Sequence, residues 1–176
     1  VFGNYKTNEL LIARDPSEDF LGIQLVGSDL DILKKAAEIV NTHAFSVLDF
    51  NLGCPAPKVA KKGEGISFVI QRPDEAIRAF SVLAENSRIP VTAKTRILSE
   101  TDPEPTVRFA LRLQDAGAQA LTLHGRLMKK FYSGPVFFEI IRAVREALSI
   151  PVIANGGALS QPLYQELVEK TGCANG

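Results

Sequence analysis

Short β-prone runs alternate with amphipathic, mostly proline-opened helical segments along most of this chain, and that alternation restricts its fold more than any other feature. The pattern predicts strands over 22–26, 46–51, 90–94, 118–124 and 151–155. Between and after them it predicts helices over 29–40, 73–86, 105–117, 135–148 and 161–171. Asp29 is placed to cap the first helix, Pro73, Pro105 and Pro135 open the next three, and Gly117 is a natural stop. Apolar residues fall at helical spacing, as in Leu30, Leu33, Ala37 and Val40, or in Phe137, Ile140, Ile141, Val144 and Leu148.

About five βα units imply a parallel sheet. Two closures compete, an open doubly wound sheet and a (β/α)8 TIM barrel. No Gly-x-Gly-x-x-Gly follows the first strand, which disfavours the dinucleotide-binding version of the open sheet. A barrel needs roughly 250 residues, so a chain of 176 residues would hold an incomplete one. The expectation is a single domain over 1–176, the central part of a barrel, with no second domain. Val1 in place of methionine, and an ending at Gly176 in mid-element, are read as marks of a piece of a longer protein.

With 45% hydrophobic residues the chain can bury a real core. Its 20 basic and 20 acidic residues balance, so no global field points to nucleic acid or to a membrane. No apolar run could span a bilayer, and no signal-peptide pattern begins at Val1. Cys54 and Cys173 are far apart and, with His43 and His124, give no metal-type spacing, so no metal is expected. Free thiols without a secretory signal suggest the reducing cytoplasm. His43 and Cys173 receive no functional role.

Polar residues gather at the strand ends. The first strand carries Gln24; the second offers Asp49 and Asn51 and then Gly53-Cys54-Pro55; the third carries Lys94 and, at the same parity, Arg96. The fourth ends in His124-Gly125-Arg126 and the fifth in Asn155-Gly156-Gly157. In a barrel, chemistry collects at these C-terminal ends. Any one of the groups could be structural: Lys94 could pair with Asp49, His124 could be a satisfied core residue, and the glycines could be a turn. All five coinciding favours a site. A lysine and a glutamine can hydrogen-bond the polar edge of a planar ring, and a cation there stabilises negative charge on a reduced flavin. Gly156 and Gly157 suit a backbone nest for phosphate. A thiol carries its proton at neutral pH, so Cys54 could act as a general acid. No acid–base pair or catalytic triad is evident.

Two basic clusters follow strand ends: Lys58, Lys61 and Lys62 after the Cys54 turn, and Arg126, Lys129 and Lys130 after His124. Both are expected on the rim that carries the site, where they suggest a local polyanion surface on a neutral protein. Phe131 and Tyr132, beside the second cluster, could stack on bases or belong to the core.

The stretch from Asp49 to Pro55 with Lys58-Val59 resembles the signature of tRNA-dihydrouridine synthases. Lys94-Thr95-Arg96, Leu123-His124-Gly125-Arg126, Tyr132-Ser133-Gly134 and Ile153-Ala154-Asn155-Gly156-Gly157 follow in the family's order. The resemblance implies an FMN-bound TIM barrel that uses NADPH to reduce the C5=C6 bond of uridine in tRNA. Cys54 would give the proton to C5 while flavin N5 gives hydride to C6. Gln24, Lys94 and His124 would hold the flavin ring and ribityl region, and Asn155, Gly156 and Gly157 its phosphate. Asn51 and Arg96 would face flavin or uridine, and Lys58 and Arg126 would meet tRNA. The family's first strand, its last phosphate loop and its helical tRNA-binding domain are not recognised in this sequence. The isolated chain is therefore expected to bind FMN poorly, and the oligomeric state is left open.

Three other readings stay open: a flavin barrel acting on free pyrimidines, of the dihydroorotate or dihydropyrimidine dehydrogenase type; a tRNA-binding module without catalysis; and a lyase or aldolase barrel in which Lys94 forms a Schiff base. The basic loops argue against the first and the intact cysteine against the second. The third suffers from the lack of a carboxylate near Lys94 in sequence.

Overall fold

A computed structural model describes residues 12–13, 15 and 17–173; the chain ends at Val1 and Gly176, from which a longer parent is expected, lie outside the described residues. Its strands are β1 (Gly22–Leu25), β2 (Val47–Leu52), β3 (Val91–Arg96), β4 (Leu121–His124) and β5 (Val152–Asn155). The long helices are α1 (Leu30–Val40), α4 (Pro73–Asn86), α5 (Glu104–Asp115), α6 (Phe138–Ala147) and α7 (Gln161–Thr171), with short helices α2 (Pro57–Ala60) and α3 (Ile66–Gln71) between β2 and α4.

All strand pairs are parallel and the sheet order is β1-β2-β3-β4-β5. Each strand therefore lies beside its predecessor in the chain. A doubly wound sheet needs a reversal of order to put helices on both faces. Right-handed crossovers without a reversal put all helices on one face, which is the wall of a barrel. The barrel reading stands and the open doubly wound alternative is overturned.

The strand side chains divide largely by parity. Leu48, Phe50, Leu52, Val91, Ala93, Leu121, Leu123, Val152 and Ala154 are all buried. They share a continuous core with Leu33, Ala37 and Val40 of α1, Ala76, Ala79, Phe80 and Leu83 of α4, Phe109 and Leu113 of α5, and Ile140, Ile141 and Val144 of α6. The opposite parity carries Gln24, Asp49, Asn51, Thr92, Lys94, Thr122 and Asn155, none of them fully buried, and at the strand tips Arg96 and His124, which are buried. So the helix-facing side supplies the hydrophobic stabilisation, and the side that would line a barrel interior is left polar.

Local chemistry explains most boundaries. The Asp29 carboxylate accepts from Ile32 N at 3.0 Å and caps α1. Arg72, held extended at φ −141° by the following Pro73, separates α3 from α4. Three elements have no clear periodicity in sequence: α2, α3 and a 3-10 turn over Met128–Lys130. The helix expected from Pro135 begins only at Phe138, because Phe137 N donates to Gly125 O at 2.9 Å and stays in the loop. Strand β3 runs two residues further than the expected end at 94, to Arg96, since its register continues to His124 of β4.

Candidate active site

Register places the polar groups. Gln24 lies opposite Asp49, Asn51 opposite Lys94, Arg96 opposite His124, and His124 opposite Asn155. Gln24, Asn51, Cys54, Lys94, Arg96, His124 and Asn155, taken from all five strand ends, line one cavity of about 260 Å³ together with Tyr132. A second cavity of about 310 Å³ is lined mainly by apolar groups such as Val69, Ile70, Leu98 and Phe109, with Arg108 and Arg112, and takes in none of the strand-end polar residues.

One hydrogen-bonded chain crosses the floor. Thr92 Oγ1 donates to Asp49 Oδ1 at 2.7 Å, Gln24 Nε2 donates to Asp49 Oδ2 at 2.7 Å, and Asn51 Nδ2 donates to Gln24 Oε1 at 2.8 Å. Asp49 thus orients Gln24, and Gln24 orients Asn51. Asn51 Oδ1 is then free to accept from Gly53 N at 3.0 Å and Cys54 N at 2.9 Å. That fixes the turn carrying the half-buried Cys54 thiol. The Asp49–Lys94 pair considered from sequence does not form as a contact: Lys94 Nζ donates instead to Asn155 Oδ1 at 3.0 Å.

Gly65 backs the cysteine from the other side. Its φ is +61°, and a Cβ there would lie 2.6 Å from Cys54 O and 3.1 Å from Cys54 Cβ. Backbone cannot yield to such a contact. Gly65→Ala is expected to destabilise the chain by about 2 kcal/mol through strain and displacement of the Cys54 turn, seen as an earlier urea midpoint with an unchanged slope. An unchanged midpoint would show that the turn has slack. The residue was not picked out from sequence, although Gly63-Glu64-Gly65 is a turn signal.

The cavity is electropositive. Burial, and then the Arg96 guanidinium, lower Lys94 below the ordinary lysine range, with Asp49 opposing. Burial first, then the charges of Arg96, Lys94 and Arg126, push His124 down to about 4. Its imidazole is neutral at neutral pH. Arg126 Nη1 stands 3.4 Å from His124 Nε2, and Arg126 Nε donates to Gly134 O at 2.9 Å. Gly156, at φ +112°, packs on this pair: a Cβ there would come within 2.9 Å of the His124 ring. Gly157 follows beside Val136 and Arg126. Arg96 is buried and spends Nε and Nη1 on backbone carbonyls. Lys58 lies on α2, exposed and outside the cavity, with Lys61 and Lys62 exposed beside it. Tyr132, considered a base-stacking candidate, is 74% exposed at the cavity edge.

Lys94 and Arg96 line the cavity and Arg126 stands beside His124; among the described residues no carboxylate lines the wall, and Asp49, bonded to Gln24, only partly offsets the effect of burial on Lys94. Positive charge that is only partly offset favours an electron-rich or anionic group there, such as a planar polar ring. The donor set fits a flavin.

The sequence model described as dihydrouridine synthase matches residues 3–176. Over 158 residues the chain is 39% identical to the probable tRNA-dihydrouridine synthase 1 of Synechocystis sp., covering 90% of this chain and 44% of that protein. It is 39% identical over 150 residues to tRNA-dihydrouridine synthase B of Vibrio parahaemolyticus (85% and 46% covered), and 33% identical over 171 residues to that of Pseudomonas aeruginosa (96% and 51% covered). The chain thus spans about half the length of the curated relatives it matches. Among solved structures, dihydrodipicolinate synthase of Agrobacterium tumefaciens superposes with a TM-score of 0.64 at 17% identity (88% of this chain, 52% of that one). N-acetylneuraminate lyase of Mycoplasma synoviae gives 0.60 at 13% identity (89% and 52%). These two likenesses concern the fold alone.

Proposed function

Since the chain belongs to the dihydrouridine synthase family, we propose that it is the central part of a flavin-dependent barrel that reduces the C5=C6 bond of uridine in tRNA. The observation that carries the reading is the juxtaposition of a half-buried thiol with converging cationic and amide donors at the ends of successive parallel strands. FMN is the proposed cofactor, NADPH the reductant, tRNA the partner and the cytoplasm the compartment. Among the described residues no helix is long and apolar enough to cross a membrane.

When bound, the flavin supplies reducing equivalents. The protein's own residues do the rest. Lys94, with Gln24 and His124, would hold the ring edge, and the Lys94 charge would favour electron density there. Asn155, Gly156 and Gly157 would hold the phosphate end. Asn51 holds the Cys54 amide, so the thiol is presented at a fixed place, where it would protonate the reduced base. Lys58 and Arg126, with their neighbouring lysines, would meet tRNA phosphates.

The test is an anaerobic one, on the barrel completed by its flanking sequence. Bound flavin absorbance should bleach with NADPH and return only with unmodified tRNA. The tRNA-dependent rate should fall steeply with added salt, as phosphate contacts require. Return with free uracil or orotate would instead identify an enzyme of free pyrimidines. The absence of any flavin would overturn the proposal.

A further inference from the structure

Arg96 is 3% exposed, and among the described residues it makes no ion pair. A buried guanidinium without a carboxylate must be satisfied by other acceptors. Those acceptors are backbone carbonyls from two different loops. Nε donates to Gly53 O at 2.8 Å, and Nη1 donates to Phe131 O at 2.8 Å, with Arg126 O at 3.5 Å.

Both anchor points are special. Gly53 immediately precedes Cys54. A Cβ at Gly53 would lie 3.2 Å from the Thr95 backbone, so the bare glycine lets this turn press closely onto β3, where its carbonyl meets Arg96. The amides on either side of Gly53's carbonyl are held by Asn51. Phe131, at φ +50°, is the one non-glycine residue with positive φ among the described residues. Its ψ is −98°, and Ser133 N closes the turn on Lys130 O at 2.8 Å. This is the first central position of a type II′-like turn, which strongly favours glycine. A bulky side chain there persists only where surrounding contacts over-determine it. The next residue, Tyr132, lies with its ring 5.6 Å from the Arg96 guanidinium carbon.

We propose that Arg96 is a positioning residue that clasps the Cys54 turn to the turn 130–133, so that the thiol and Tyr132 are set as one unit at the cavity mouth. Two of its three nitrogens are committed to this clasp. Its meaning for catalysis rests on Cys54 being the reacting thiol; its test does not, because the test needs neither flavin nor tRNA.

The experiment is hydrogen exchange on the chain itself, read by mass spectrometry, with Arg96→Lys and Arg96→Gln. Lysine keeps the charge but has one nitrogen in place of the Nε and Nη1 that reach the two carbonyls; glutamine removes the buried charge, tolerates burial better and keeps a single amide group. In Arg96→Lys, amides of 52–56 and of 127–134 should both exchange at least tenfold faster, with β4 and β5 unchanged. In Arg96→Gln, at most one of the two segments should keep its protection. Iodoacetamide should alkylate Cys54 at least threefold faster in Arg96→Lys, with buried Cys173 as the internal reference. Adding Phe131→Gly, which relieves the strain, should cut the Arg96→Lys effect on 127–134 to under threefold and leave that on 52–56 intact. Protection of both segments in both variants would overturn the clasp. So would uniform acceleration along the chain, or effects of Arg96→Lys and Phe131→Gly that simply add.

Discussion

Replacing Cys54 by alanine is expected to lower the rate of dihydrouridine formation at least about 100-fold and to leave flavin occupancy unchanged. The cysteine lines the cavity but is not needed to build it. Its turn is fixed by Asn51 through the backbone amides of Gly53 and Cys54, and alanine keeps both bonds. What alanine removes is the proton donor. No other group near it is equally placed. His124 is held neutral by burial and by three neighbouring cations, so it has no imidazolium proton to give at neutral pH. Lys94 is the rival acid; one of its N–H groups is spent on Asn155, and the proposed flavin contact would take up the rest. Lys94→Met should therefore act differently from Cys54→Ala, lowering flavin occupancy first. The check is single-turnover reoxidation of the reduced protein by unmodified tRNA, with dihydrouridine measured in the product. Cys54→Ser should not restore the rate, because a hydroxyl is a far weaker acid than a thiol. If the alanine variant turned over at the native rate, Cys54 would be a structural residue and the proton would have to come from Lys94 or water.

Most of the frame was legible in the sequence because each layer of information agreed. The strand runs, the proline-opened helices and the Asp29 cap all point to βα units, and the five strands and long helices are present, with their ends shifted by a few residues. What periodicity could not decide was closure. That required sheet order, a non-local property which local pattern does not encode. The cavity was legible as a set of strand-end residues, since parity and parallel register together bring residues of like position to one rim. The partners within the set were not legible. Lys94 could as easily have met Asp49 as Asn155, and only three-dimensional placement gives Asp49 to Gln24 and Thr92 instead. Arg96 shows the same limit. Its residue type and parity predict a charged group in the cavity, but its acceptors are main-chain carbonyls in loops 43 and 35 residues away in sequence. The short helices α2 and α3 escaped notice because segments of 4 and 6 residues carry too little periodicity to stand out.

Stability of the chain is expected to fall between about pH 6.5 and pH 4, and His124 is expected to account for a large share of the fall. The sign follows from the direction of the shift. Burial and the Arg96, Lys94 and Arg126 charges depress the folded-state value to about 4, from an ordinary value of 6.5. Between those limits the unfolded chain binds a proton at this residue and the folded chain does not, so acid favours unfolding. The contribution is full above about 6.5, is lost as pH falls through that window, and changes no further below about 4. At one pKa unit per roughly 1.4 kcal/mol, the loss is at most about 3.5 kcal/mol, and less to the extent that water in the open cavity screens the three cations. Urea denaturation of the native chain and of His124→Asn across pH 4 to 7.5 would test this. His124→Asn should flatten most of the slope in this window. An unflattened slope in His124→Asn would mean that the imidazole takes up its proton in the folded state, and that the cavity tolerates a further positive charge. That outcome would also weaken the argument for Cys54, because a protonated His124 would then be a second acid in the same cavity.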